Sequence, residues 1–301
     1  MKRIIAILFF AMLLIGACQK EIQVSPKVDF QGQLFIEGIL YPGEIPKIYL
    51  SKALPFFSGE VTPSELFARG AMASISDEAG SHALVPDSTF DSFRCRWVPF
   101  YTGGNPVEVG KTYQLSVEYE GKKYDASTTV VRSKIRIDSV FYTPEFFDIY
   151  GGHDGVIVYF DDAPGHGDFY RFQMNRRIDN TRLHAHELDL VRSTCTNGEK
   201  FWVTDFGRTI FSDEKIDGRT MELFLEVSFE YLEGDSAWIT MHNLDETSAR
   251  FYQELDEQLQ AIINPFVEPV FIDSHIGDAI GVFGSTIPSD SVLFIYPQDN
   301  P

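Results

Sequence analysis

The chain has 301 residues, of which 44% are hydrophobic, and its formal net charge at pH 7 is −19. An apolar fraction of this size can supply a buried core, which argues against a disordered chain. The acidic excess argues against nucleic-acid binding and against binding to anionic lipid through basic patches. It suits a solvated domain, or one that attracts cations or basic peptides.

The first 18 residues predict export and a lipid anchor. Lys2 and Arg3 precede an uncharged stretch of fourteen apolar or small residues, Ile4 to Ala17. As a helix this stretch is about 21 Å long, shorter than the hydrocarbon core of about 30 Å, so it is typical of a secretory signal. Ile15-Gly16-Ala17-Cys18 resembles the lipobox of bacterial lipoproteins, whose cysteine becomes the first residue and carries the lipid. The alternative is an ordinary cleaved signal with a chance cysteine.

The residues after Cys18 indicate where the anchor is displayed. Gln19-Lys20-Glu21 resembles the short export signal of Bacteroidetes surface lipoproteins, which implies an outer-membrane protein facing the cell exterior. A solvated polar tether explains the same three residues. Several acyl chains, palmitate among them, would anchor the protein stably. Removal of residues 1–17 takes away two cations and no acid, so the charge changes from −19 to −21.

Residues 18–30 are predicted to be a lipidated tether, and residues 31–133 an N-terminal immunoglobulin-like β-sandwich. Short strands at near-regular spacing, with turn signals between them, are typical of such sandwiches. The clearest hairpin joins Thr112–Tyr119 to Tyr124–Val131 through Glu120-Gly121-Lys122-Lys123. In this half, strands are predicted at residues 34–40, 47–51, 71–76, 83–85, 95–98, 112–119 and 124–131.

Residues 134–301 are predicted to form a second β-rich domain, with the boundary near Ser133. One amphipathic helix near residues 246–263 breaks the β pattern. Asp245 is a good N-cap, and Asn264-Pro265 ends the helix. Its apolar stripe consists of Phe251, Leu255, Leu259 and Ile262, with Tyr252 and Ile263 beside them. Strands in this half are predicted at residues 138–142, 155–160, 169–174, 200–203, 221–229 and 237–242.

Two cysteines remain once Cys18 is assigned to the lipid. Cys95 and Cys195 stand one in each half of the chain, and an exported protein can form disulfides. The pair could be bridged or could be two buried thiols, since nothing in the sequence determines their distance.

No metal site is predicted, although two stretches have metal-like chemistry. His184 and His186 would point to one face of a strand, but no third ligand is identifiable. Asp161, Asp162 and Asp168 offer oxygen ligands of the kind that calcium prefers, but their spacing is not that of an EF-hand. A turn stabilised by side-chain hydrogen bonds explains these aspartates equally well.

The sequence predicts neither an enzyme nor a cofactor. It contains no Gly-x-Ser-x-Gly, P-loop, dinucleotide-binding glycine pattern or His-Glu-x-x-His. Carboxylates are plentiful, but nothing marks a pair of them as an acid and a base.

Four stretches of the chain carry a family resemblance, namely the lipobox with residues 18–22, the strand 34–39 with 46–57, residues 110–115, and residues 264–284. In these stretches the chain resembles the Bacteroidetes lipoprotein family catalogued as domain of unknown function 4249 (DUF4249). Departures from the family pattern are His275, where Asn is usual, and Asp278-Ala279-Ile280-Gly281, where a glycine-rich run is usual. Gly277, Gly281 and Gly284 indicate tight turns or close strand approach.

This resemblance implies an accessory component of a TonB-dependent outer-membrane receptor, with an unspecified ligand. The first hypothesis is therefore a surface lipoprotein that acts as a binding or gating subunit of such a transporter. The alternative is an adhesin or structural β-module of the cell envelope, which would lack a concave, aromatic-lined pocket. A hydrolase is the least supported hypothesis, since it would need an acidic pair about 5–10 Å apart in a cleft.

Overall fold

A computed structural model describes residues 32–54, 61–92, 95–130, 133–148, 151–178, 201–207, 210–215, 217–226, 234–263, 268 and 270–296. Within these ranges the chain forms sixteen strands, one helix of four residues and one long helix. In chain order they are β1 (Leu34–Leu40), β2 (Lys47–Lys52), α1 (Pro63–Leu66), β3 (Met72–Asp77), β4 (Gly80–Asp91), β5 (Arg96–Thr102), β6 (Thr112–Tyr119), β7 (Lys122–Thr129), β8 (Arg136–Asp148), β9 (Gly151–Asp161), β10 (Phe169–Ile178), β11 (Phe201–Phe206), β12 (Phe211–Ser212), β13 (Thr220–Glu226), β14 (Ser236–Leu244), α2 (Glu246–Ile263), β15 (Ile280–Pro288) and β16 (Val292–Ile295).

The described strands form two sheets. The larger has the hydrogen-bonded order β11-β10-β14-β15-β1-β2-β5-β4-β3-β6-β7, with β12 beside β10 and β16 beside β14. The smaller has the order β13-β9-β8. These sheets confirm the predicted mostly β fold with one amphipathic helix.

The N-terminal strands follow the local sequence closely. In β1 buried and partly buried residues alternate along its whole length, as expected of a strand with one face on a core. The predicted hairpin is β6–β7, in register from Thr112 opposite Thr129 to Tyr119 opposite Lys122. Its two turn residues, Glu120 and Gly121, both have positive φ (50° and 76°), which is the backbone that a two-residue hairpin turn requires.

The large sheet encloses a first core, and the small sheet packs over a second one. The first contains buried side chains from β1, β2, β3, β6 and β15, such as Ile36, Leu50 and Phe283. The second contains side chains from β9, β10 and β14, such as Phe160, Tyr170 and Met241. The rings of Phe160 and Tyr170 meet edge to face with their centroids 5.1 Å apart. Both cores are apolar, and their burial is the main stabilising contribution.

Strand β15, from the C-terminal half of the chain, pairs with β1, the first described strand. It runs parallel to β1, with Phe35 opposite Ile280 and Leu40 opposite Ser285. A Cβ at Gly281 would lie 1.9 Å from the Ile36 carbonyl oxygen, so only glycine fits there. This confirms the close strand approach predicted from the C-terminal glycines.

Helix α2 is fastened to β15 through its N-cap. The Asp245 carboxylate accepts hydrogen bonds from the Ser248 amide (2.9 Å), the Ser248 hydroxyl (3.0 Å) and the Ser285 amide. The predicted cap is therefore confirmed. The predicted apolar stripe is buried only in part, since Phe251 is 3% exposed whereas Leu259 is 42% exposed. The buried end of the helix is the end that the cap holds against the sheet.

Residues 32–301 group as one compact unit, and β15 from the C-terminal half lies beside β1 from the N-terminal half. The division into residues 31–133 and 134–301 stays a prediction. Signal peptide and tether, residues 1–17 and 18–30, lie outside the described residues. Of the helices in the described ranges, none has the length and hydrophobicity needed to span a membrane.

Candidate functional site

A pocket of about 400 Å³ opens where β1 and β2 lie near β10, β14 and helix α2. This volume is within the range of small-molecule binding sites. Aromatic rings and a small number of charged groups form its walls, and we call it the Arg171 pocket. Its lining residues are Glu37, Ile39, Tyr41, Glu44, Ile45, Pro46, Lys47, Tyr49, Arg171, Phe206, His242, Leu244, Tyr252 and Thr286.

Arg171 lines the pocket and is held there by aromatic rings. The guanidinium carbon is 4.1 Å from the ring centroid of Tyr252 and 4.8 Å from that of Phe206, so two aromatic rings hold the cation. Its Nε donates a hydrogen bond of 2.9 Å to the Gly207 carbonyl. Toward the described residues, neither Nη1 nor Nη2 makes a hydrogen bond or ion pair. Arg171 is thus held in place while its two terminal nitrogens keep donors for a ligand.

Glu37 provides a carboxyl group beside this cation. It projects from β1 and accepts a hydrogen bond of 3.1 Å from the Tyr252 hydroxyl. Burial raises the pKa of Glu37, against the opposing effects of the Tyr252 hydrogen bond and the Arg171 charge. Burial also raises the pKa of Tyr252 well above its ordinary value, so this hydroxyl stays protonated and can keep donating.

His242 forms the inner wall. It is 4% exposed and stands opposite Arg171 in the β10–β14 register. Burial, assisted by the Arg171 charge, lowers the pKa of His242 to about 4, so the imidazole is neutral at physiological pH. Its Nε2 is hydrogen-bonded to the Gln173 side chain, and its ring meets Tyr41 edge to face at 6.0 Å. Burial raises the pKa of Tyr41 to about 12.

Together these groups can recognise a ligand. Two rings hold the Arg171 side chain, and a carboxyl group and a neutral imidazole stand beside it. The remaining wall is aromatic or aliphatic except for Glu44, Lys47 and Thr286. Apolar walls with a small number of placed polar groups are the usual design of a binding pocket.

A second polar group of residues lies at the end of β9 and β10. Asp162, Asp168 and Asp213 are all buried, and each offers an oxygen within 4.8 Å of the others. These residues could hold a cation. The predicted candidate Asp161 is not among them, because its carboxylate accepts from Thr220 (2.7 Å) and pairs with Arg136 (3.3 Å).

The other predicted site residues have different outcomes. Cys18, His184, His186 and Cys195 lie outside the described residues, so the roles assigned to them stay predictions. Cys95 follows β4 and is disulfide-bonded. Its pairing with Cys195 stays a prediction.

Sequence reasoning missed the pocket residues. Glu37 carried one signal, because it is the single charge in the apolar strand Leu34–Leu40. Arg171 and His242 carried none, since each occupies an ordinary position in a β-strand. Asp213 was missed because 45 positions separate it from Asp168 along the chain.

Comparison with known proteins identifies the family but no characterised relative. No curated protein is similar enough in sequence to this chain to count as a match. A family model described as a domain of unknown function, DUF4249, matches residues 20–289. That range covers most of the chain, including every described strand except β16, the Arg171 pocket and the buried aspartates, and the chain belongs to the DUF4249 family.

Proposed function

We propose that this protein is a lipid-anchored outer-membrane lipoprotein that binds a small ligand in the Arg171 pocket. It acts as an accessory binding or gating subunit of a TonB-dependent transporter. Cys18 carries the lipid, and the anchored domain faces the cell exterior. The single observation that supports a binding role is the aromatic pocket around Arg171.

The pocket separates this proposal from the alternative of an adhesin or structural module. A module that attaches to a polymer, or that only fills space in the envelope, has no need of a concave site. Here a volume of about 400 Å³ is walled by Tyr41, Tyr49, Phe206 and Tyr252 around one guanidinium group. Such a site suits capture of a small molecule before transport.

The chemistry of the pocket suits a carboxylate. The two terminal nitrogens of Arg171, which make no hydrogen bond to the described residues, match the two oxygens of a carboxylate group, and aromatic walls accept an apolar body. The net charge of −19 opposes the approach of anions at long range, so short hydrogen bonds at Arg171 must provide the affinity. We therefore propose an organic molecule that carries one carboxylate on an apolar or aromatic frame.

A ligand screen tests this role. Aromatic and aliphatic carboxylates, each paired with its neutral amide, are titrated into the mature protein and followed by thermal melting and calorimetry. Carboxylates should bind at least about tenfold more tightly than their amides, since a charge-assisted hydrogen bond contributes roughly 1.5–3 kcal/mol. Arg171→Ala should remove this preference, and Arg171→Lys should restore it only in part. The control is Arg250→Ala on the exposed face of α2, where Arg250 pairs with Glu246.

Equal binding of acids and amides, or unchanged binding by Arg171→Ala, would contradict the assignment of the ligand. The transporter role needs a separate test, which is capture of the tagged full-length lipoprotein from mildly solubilised outer membranes. A stoichiometric TonB-dependent receptor is expected. If the lipoprotein comes out alone, the transport role is wrong whether or not the pocket binds carboxylates.

A further inference from the structure

We infer that Asp162, Asp168 and Asp213 form a calcium site. Asp162 follows β9, Asp168 precedes β10 and Asp213 follows β12, so two turns bring the three together. Hydrogen bonds join the two turns. The Gly167 amide, before β10, donates to the Asp213 carboxylate (3.0 Å), and the Gly218 amide, after β12, donates to the Asp162 carboxylate (2.7 Å). The site is thus part of the fold and does not depend on mobile surface groups.

Three acidic side chains share one buried space in the fold. Asp162, Asp168 and Asp213 are 5%, 8% and 1% exposed. Within the described part of the chain, the side-chain and amide donors that contact Asp162 and Asp213 are neutral, namely the Tyr170 hydroxyl and the two glycine amides. Buried charges normally occur paired or bound to a metal.

Two buried acceptor atoms, one in the cluster and one beside it, lack hydrogen-bond partners among the described residues. Asp213 Oδ2 is buried and has no hydrogen-bond partner in the described part of the chain. Asn243 Oδ1 is in the same condition, and the amide nitrogen of that side chain donates to Asp168 Oδ1 at 2.6 Å. A buried acceptor that is left without a hydrogen-bond partner is rare in folded proteins. A cation at the cluster would give Asp213 Oδ2 a partner.

The chemistry of the three carboxylate ligands indicates which metal ion would bind. All donors are oxygens, which suits calcium or magnesium and not the metals that prefer imidazole or thiolate. The three aspartate oxygens are no more than 4.8 Å apart. Two oxygens bound to one Ca²⁺ ion are no more than about 5.2 Å apart, so the three aspartates can share one ion. A protein cage of carboxylates without a substrate phosphate favours Ca²⁺.

The site adjoins the strands that carry the pocket. Tyr170 and Asn243, which contact the aspartates, face each other across β10 and β14, and the next pair in register is Arg171 and His242. Consecutive residues of a strand point to opposite faces. Calcium would therefore stabilise these strands from the face opposite the pocket.

The test uses the mature protein freed of metal with EDTA. Calorimetric titration with CaCl₂ should show one site per chain, and about 5 mM Ca²⁺ should raise Tm by about 5 °C or more. Asp213→Asn should lose the binding and the Tm rise. Asp161→Asn, a neighbouring exposed carboxylate outside the cluster, should keep both.

Each other outcome overturns the inference. Absence of binding and of a Tm change in the wild-type chain shows that the cluster is satisfied without a cation. Binding of Mg²⁺ in preference to Ca²⁺ contradicts the choice of ion, and loss of binding in Asp161→Asn contradicts the choice of ligands. In EDTA, Asp213→Asn should melt no lower than the wild-type chain, because the substitution removes a buried acidic group and keeps an oxygen that can accept from the Gly167 amide. A much lower Tm would show that Asp213 is needed for folding itself.

Discussion

Replacing Gly281 by alanine should push β15 away from its parallel partner β1. Gly281 lies in β15 opposite Ile36 of β1, and a Cβ there would be 1.9 Å from the Ile36 carbonyl oxygen and 2.8 Å from its carbon. Ordinary contacts begin near 3.4 Å. The oxygen belongs to the backbone of a buried strand, so it can move only if β1 shifts against β15.

The cost of Gly281→Ala has two parts. A φ of +133° is unfavourable for alanine by roughly 1–3 kcal/mol. Displacement of β1 in a packed core costs a further 1–3 kcal/mol or so, and each weakened strand hydrogen bond adds about 1 kcal/mol. The free energy of unfolding should therefore fall by about 4 kcal/mol, against a total of about 5–15 kcal/mol for a typical protein.

Urea unfolding followed by circular dichroism measures this loss, with Gly43→Ala as the matched control. Gly43 also has positive φ (+83°), but a Cβ there meets nothing within 4 Å. Gly43→Ala should cost only about 1–2 kcal/mol. If the two variants lose stability equally, within about 1 kcal/mol, the close approach of β1 and β15 is refuted. If Gly281→Ala does not fold at all while Gly43→Ala does, the prediction holds.

Two further predictions concern buried polar groups. Asp245→Ala removes the acceptor for the Ser248 and Ser285 amides, so the free energy of unfolding in urea should fall by about 2–4 kcal/mol. Asp290→Ala at a 91% exposed carboxylate should cost under about 1 kcal/mol, and an equal loss in both would contradict the cap. His242 has a pKa of about 4 in the folded chain, against an ordinary histidine value of 6.5, so the unfolded chain takes up this proton first as the pH falls. The titration of His242 should leave the free energy of unfolding unchanged above pH 6.5. Between pH 6.5 and pH 4 it should lower that free energy by about 3 kcal/mol. Unfolding of His242→Gln should lack that part of the pH dependence, and identical pH profiles would contradict the burial argument.

The candidate sites were only partly predictable from the sequence. The sequence predicted no metal site, although Asp161, Asp162 and Asp168 offered oxygen ligands in one turn, and the structure brings Asp162 and Asp168 together with Asp213. Asp161 is separate from them, because it ends β9 and points to the other face of the strand. No local pattern connects Asp213 to this turn. The Arg171 pocket was not predicted at all, since its charged residues come from strands far apart in the chain.

Local pattern determined the strands, the β6–β7 hairpin and the long helix with its Asp245 cap. Each depends on residues that are neighbours in sequence: alternating burial in β1, a two-residue turn with positive φ, or a carboxylate beside the first amides of a helix. The C-terminal glycines also predicted that another strand lies close to this segment. The local sequence did not identify β1 as that strand, because β15 and β1 are about 240 residues apart.

Only the tertiary structure decided which faces meet. The β10–β14 register places Arg171 opposite His242 and Tyr170 opposite Asn243, and so assigns one pair to the pocket and the next to the aspartate cluster. A shift of one residue in that pairing would change the partners of both pairs. The register is stabilised by burial of Ala237, Ile239 and Met241 on one face of β14, which is a property of the packed core and not of any single segment.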